Sequence, residues 1–287
     1  MPTAQQIIFG LLIPMAAAFL PALIVSWIEP GASWGALLGM LAGFVLALHG
    51  VYGQWPELHP SDTGPRAVLV AIPIGIVAIG LSYKKVPSFI RFLEWIAAPT
   101  AAAWFLLSTL SPGKLSTQEL WTWIGGVTGT AIFCTLILEW LNKRDKSVGM
   151  TFTLGPVLAG AAVLILFNGN TYLGLLTASL ATMALGWCVA ELIARKKSLG
   201  RGPTVLAISL GAALLARGFL TSDTMTILEV SLVGGGIVAG ALAEIVLPKS
   251  WNGWKQEIVR LILVAIPVGV AVGLAFVQFK KDAAGEI

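Results

Sequence analysis

The sequence predicts an all-α, polytopic membrane protein: a single domain over residues 1–287, with about ten transmembrane helices joined by short loops, an arrangement open to tandem two-helix hairpins. Three observations lead there. Of the 287 residues, 57% are hydrophobic and only 11% carry a charge, whereas soluble domains carry roughly 25% charged residues. A chain this poor in charge cannot cover a water-facing surface. Its apolar residues fall in long runs, and a helix needs about 20 of them to cross the hydrocarbon core. Polar breaks between the runs are short, and the alternating pattern of a membrane β-strand is absent, so helices that satisfy their own backbone are the expected form.

The first run follows "MPTAQQ" and lacks the positively charged start of a secretory signal, so residues 8–28 are expected to be a retained span. The later runs are 34–51, 67–83, 89–110, 119–141, 149–167, 171–194, 204–220, 226–247 and 259–279. Several contain proline, notably Pro73, Pro99, Pro156 and Pro267, which a spanning helix tolerates with a kink.

Basic residues set the expected orientation. The breaks after the third, fifth, seventh and ninth runs, with adjoining helix ends, hold 13 of the 18 lysines and arginines: Lys84, Lys85, Arg91, Lys143, Arg144, Lys146, Arg195, Lys196, Lys197, Arg201, Lys249, Lys255 and Arg260. The positive-inside rule then places those breaks in the cytoplasm and both termini outside a cytoplasmic membrane. Lys280 and Lys281 run against it. Because the basic residues sit between apolar runs, the net charge of +4 is a membrane signature and not a nucleic-acid stripe. Most tryptophans, among them Trp27, Trp34, Trp95, Trp121, Trp123, Trp140, Trp251 and Trp254, mark run ends, as interfacial rings do.

Internal similarity is present but weak. "RAVLVAIPIG" (66–75) and "RLILVAIPVG" (260–269) match at seven of ten positions, about what chance gives in so biased a composition. Glu139, Glu191 and Glu244 each precede a basic break, 52 and 53 residues apart. Tandem hairpins would give that period, and so would any two spans with two short loops.

Helix packing carries the strongest local signal. Gly35, Gly39 and Gly43 share one face, and further Gly-xxx-Gly pairs are Gly125/Gly129, Gly236/Gly240 and Gly269/Gly273. Small residues at this spacing let backbones approach closely, which matters where lipid offers no hydrophobic drive for association.

Chemistry-bearing residues are few. Glu139 with Lys143 and Glu191 with Arg195 have the spacing of local helix pairs, as do Arg91 and Glu94. These side chains, with Glu229 and Glu244, are expected to snorkel at span ends. Arg217 interrupts the outer half of the eighth run, with Asp223 and Glu229 as its candidate partners. The longest loop, 49–66, contains His49, Glu57, His59 and Asp62, but no recognised metal spacing. Cys134 and Cys188 are expected to be buried, reduced thiols. No catalytic or phosphate-binding motif is present, so neither enzyme activity nor a cofactor is expected. No charge falls at the predicted midplane of any span, which argues against ion-coupled transport.

In size and span number the chain is similar to the drug/metabolite permeases, built from two inverted five-span halves. It has no motif of that family, and outside termini with a two-span period run against it. Two functions remain open: a permease or channel for a small, uncharged solute, or a non-catalytic accessory subunit. The accessory subunit would pack against other membrane proteins, a second copy or lipophilic pigments. The lipid bilayer is the partner expected on either reading, and nucleic acid is not expected.

Overall fold

The structure is a computed structural model that describes residues 3–29, 32–53, 63–82, 87–111, 113–144, 149–194, 200–247 and 253–284. They form ten helices and no strand: α1 (Ala4–Ile28), α2 (Trp34–Tyr52), α3 (Thr63–Ser82), α4 (Ser88–Leu107, prolonged by a 3-10 turn at Ser108–Leu110), α5 (Thr117–Arg144), α6 (Gly149–Phe167), α7 (Thr171–Ala194), α8 (Arg201–Thr221), α9 (Ile227–Val246) and α10 (Gly253–Ala284). Nine of these are long and apolar enough to cross a membrane, and α3 adds a shorter apolar stretch, Pro65–Leu81. The chain is therefore a multi-pass helical membrane protein with about the ten expected elements. Each expected run coincides with one helix to within a few residues. The exceptions are α1, α3 and α10, which begin four to six residues earlier, with α10 also ending five later.

Helix ends follow local chemistry. Thr226 and Glu229 form a capping box at the start of α9, each side chain bonding the other residue's N–H. Gly53, at φ 70°, closes α2 in the left-handed conformation open to glycine at no steric cost. Helices α3, α4, α6 and α10 run through Pro73, Pro99, Pro156 and Pro267. Helix α1 widens to a π-turn at Ile8–Leu12, where Ile13 N–H bonds the Ile8 carbonyl. The widening directly precedes Pro14, which has no N–H to return to Gly10.

The packing has a simple plan. Helix α8 stands in the middle, touched by seven helices that close a ring in the order α2, α3, α4, α5, α9, α6, α7. Helix α1 lies outside the ring against α2 and α7, and α10 lies outside against α9 and α6. Burial agrees: α7 and α8 are the most enclosed helices, α1 and α10 the least.

Glycine makes three of these interfaces possible. On α2, a Cβ added to Gly35 or Gly39 would stand 2.6 Å from the Pro21 or Ala17 carbonyl oxygen of α1, and one on Gly43 would stand 3.1 Å from the Pro14 carbonyl. Ala17 is the residue whose carbonyl loses its usual donor, because Pro21 has no N–H. Gly39 packs directly over that carbonyl, where any larger residue would collide with it. Gly186 of α7 meets the Met15 carbonyl from the other side, at 2.5 Å from its would-be Cβ. Gly236 and Gly240 of α9 press likewise on Val157 and Thr153 of α6. Gly125, Gly129, Gly269 and Gly273 have nothing within 4 Å. Equal spacing in the sequence thus corresponds to contact at two of the four glycine sets within this chain.

The decapeptide copies also part company. Arg66 is half-buried at the start of α3 and Gly75 packs on Leu41, whereas Arg260 is fully buried and Gly269 faces open space.

Candidate functional site

A crevice of about 260 Å³ opens between α5, α6, α8 and α9. It exists because small residues line it where larger ones would fill it: Gly126 on α5, Ala161 on α6, Gly211 and Ala212 on α8, and Gly234 on α9. A Cβ on Gly126 or Gly234 would meet no atom within 4 Å. The rest of the wall is aliphatic or aromatic, and among the described residues no charged side chain reaches it. Its polar side chains are the Thr130 and Ser231 hydroxyls, the Cys134 thiol and the Trp123 indole.

The crevice has distinct ends. Toward the ends where α5 and α9 begin (the predicted outer side), Trp123 and Phe219 lie with ring centroids 5.4 Å apart. Trp123 also borders a more open pocket of about 330 Å³, lined by Ser116, Gln118, Glu119 and Thr122. One aromatic side chain therefore separates a polar mouth from an apolar chamber. Toward the other end the chamber stops at Val157 and Ile237. One turn further, the would-be Cβ of Gly240 stands 2.5 Å from Thr153, a packing too close to admit a solute.

Beyond that layer lies a buried ionic cluster. Arg260 of α10 has a fully buried side chain and donates from Nη1 to Glu257 and from Nη2 to Glu244 of α9, each at 2.7 Å. Gln256 adds a 2.9 Å bond to the same Glu244 oxygen. Glu191 of α7, also buried, accepts from Thr151 of α6 at 3.2 Å. The first set of bonds joins α10 to α9, and the second joins α7 to α6.

This overturns one expectation of the sequence. Glu94, Glu191 and Glu229 were expected to snorkel outward, yet all three are buried. Glu191 has Thr151 across the helix pair, and Glu229 is held by its own cap at Thr226, with 2.7 Å between carboxylate and N–H. Arg260, counted above only as a topological charge, is the most deeply buried cation described. The i,i+3 spacing of Glu257 and Arg260 was the available signal.

Arg217 does not pair with Asp223 or Glu229. It reaches α4 instead, where Nη1 donates to the Leu106 carbonyl at 3.1 Å and to the Thr109 hydroxyl. It thereby caps backbone left open where α4 tightens into its 3-10 turn. Asp223 stands exposed after α8. His49 sits near the end of α2, its ring in a T-shaped contact with Phe9 of α1, centroids 6.4 Å apart. Glu57, His59 and Asp62 lie outside the described residues. Cys134 and Cys188 are buried and free. No group of three or more potential metal ligands occurs among the described residues.

No protein-family model matches this chain, and no curated protein or solved structure is detectably similar to it.

Proposed function

We propose that the chain is a permease-type protein that takes a small, uncharged, mainly apolar solute into the crevice between α5, α6, α8 and α9. The observation that carries this reading is the asymmetry of the chamber. It adjoins a polar mouth at one end and is sealed by glycine packing at the other, as expected of a site open to one side at a time. The wall holds no charge to neutralise an ion, which matches an uncharged solute. Such a solute already enters lipid, so the protein contributes saturable and sided passage. On this reading the mouth faces outward and both termini lie outside the cytoplasmic membrane. A reporter enzyme active only outside the membrane, fused after Ile287, should be active; an inactive fusion reverses the orientation.

Stopped-flow swelling of liposomes containing the full chain tests transport. A series from glycerol to 1,2-hexanediol should show protein-dependent flux that saturates and favours the longer diols. Gly126→Leu and Gly234→Leu place side chains into the open crevice and should abolish that flux while leaving the protein folded. Absence of any protein-dependent flux from folded wild type sinks the permease reading.

A second reading, the accessory subunit, is favoured by one observation: Gly125/Gly129 on α5 and Gly269/Gly273 on α10 are exposed with nothing against them. If flux is absent, native mass spectrometry of the detergent-extracted protein should reveal a second copy or a different subunit.

A further inference from the structure

Hydroxyl groups inside apolar helices normally turn back on their own backbone, because a free hydroxyl in a dry environment costs free energy. This chain follows that habit. Thr153 donates to the Gly149 carbonyl at 2.8 Å, Thr177 to Leu173 at 2.8 Å, Ser179 to Leu176 at 2.6 Å and Thr221 to Arg217 at 2.8 Å. Even Thr122, which lines the polar mouth, donates to Gln118 at 2.9 Å. Four mid-helix hydroxyls depart from it: Thr135 of α5 and Ser209 of α8, which are buried and do not line the crevice, and the exposed Thr130 and Ser231. Thr130 and Ser231 line the crevice, and no hydrogen bond within the described residues engages either side chain. Thr130 lies at the middle of α5 and Ser231 in the second turn of α9, so the two hydroxyls come from different walls of the chamber.

We infer that Thr130 and Ser231 are the solute-recognising groups, and that the ligand is a small neutral amphiphile with an apolar body and one hydroxyl or carbonyl oxygen. The inference rests on the crevice being a solute site and adds its specificity. A hydroxyl can both donate and accept, so the pair serves an alcohol, a phenol or a ketone equally. Size agrees. An apolar cavity of about 150 Å³ holds benzene, and 260 Å³ accommodates a substituted ring or a chain of similar bulk. Charged ligands are disfavoured because the walls offer no counter-ion, and wholly apolar ones leave both hydroxyls unbonded.

The test compares two probes that differ by one oxygen. Detergent-purified full-length protein is titrated with 4-fluorophenol and with fluorobenzene, and binding is followed by ¹⁹F NMR line broadening. Partition into micelles is removed by subtracting the non-saturating part seen with Gly126→Leu or Gly234→Leu. Wild type should bind 4-fluorophenol about tenfold more tightly than fluorobenzene, the worth of one net hydrogen bond. Thr130→Val and Ser231→Ala, singly and together, should narrow that ratio toward one while fluorobenzene affinity stays unchanged. Saturable binding of both probes with no preference, or a preference indifferent to both substitutions, overturns the assignment of these hydroxyls but leaves the crevice as a site. Absence of saturable, crevice-dependent binding by either probe removes the solute site itself and this inference with it. The single variants each remove one oxygen at most, so retained fluorobenzene binding also certifies that the chamber is intact.

Discussion

Replacing Arg260 with Met is expected to destabilise the protein by about 3–5 kcal/mol, the usual cost of breaking a buried ion pair from one side. The side chain of Arg260 is fully enclosed, and its two Nη groups hold carboxylates on two helices. Without the guanidinium, Glu257 and Glu244 remain where water is scarce and must either protonate or drag the helices open. The cost is therefore chiefly that of the orphaned carboxylates, not of a lost attraction. That origin has its own test. A triple variant, Arg260→Met with Glu244→Met and Glu257→Met, removes the stranded charges along with their partner and should recover most of the loss. Unfolding of the purified protein in mild detergent, followed by loss of the monodisperse species on heating, measures both. A triple variant as unstable as the single one indicates that the cluster matters through shape and not through charge.

Gly39→Leu should be at least as damaging. The added carbon would meet the Ala17 carbonyl and the Ala18 backbone at 2.6 and 2.8 Å. Ordinary core overpacking costs about 1–3 kcal/mol because side chains shift. Here the obstacle is main chain, and the contact also covers the carbonyl that Pro21 leaves without a donor. Helix α1 is expected to detach from α2 and become accessible to protease, while α3 to α10 remain assembled. Gly125→Leu is the matched control. It has the same residue type and the same four-residue spacing, but nothing lies within 4 Å. Its effect should stay within about 0.5 kcal/mol of wild type, or turn favourable by helix propensity. Equal damage at both positions refutes the packing argument.

These two residues mark the division between what the sequence reveals and what it hides. Helix positions were legible, because crossing a bilayer demands a length and a composition that a linear scan detects. Thus Trp34 opens α2 and Gly149 opens α6, where the apolar runs predict. Partners were not legible. A water-soluble helix advertises its buried face by polarity, but α6 is apolar all round, and lipid and protein neighbours select the same side chains. Gly39 and Gly125 therefore look alike in the sequence and differ entirely in the fold. The same holds for charge. Arg260 and Arg91 both sit beside basic breaks, yet one is sealed inside and the other exposed. The crevice was hidden for a further reason: its walls come from four helices spread over residues 123–237, and none of its glycines or hydroxyls forms a local motif. Only Glu257–Arg260, four residues long, announced part of the inner cluster.

The ring around α8 constrains how the protein is made. The chain leaves the ribosome from residue 1 onward, so α2 to α7 enter the membrane before their central helix exists. They must leave its place vacant, filled with lipid or left splayed. When α8 arrives it has to slot between helices already inserted, and the circle stays open until α9 follows and joins α5 to α6. Helix α10 then settles outside, and its Arg260 finds Glu244 only at this last step. A fragment ending near residue 200 would thus be a set of inserted helices without a middle, a natural substrate for quality-control proteases. Completion of the fold is written into the final third of the chain.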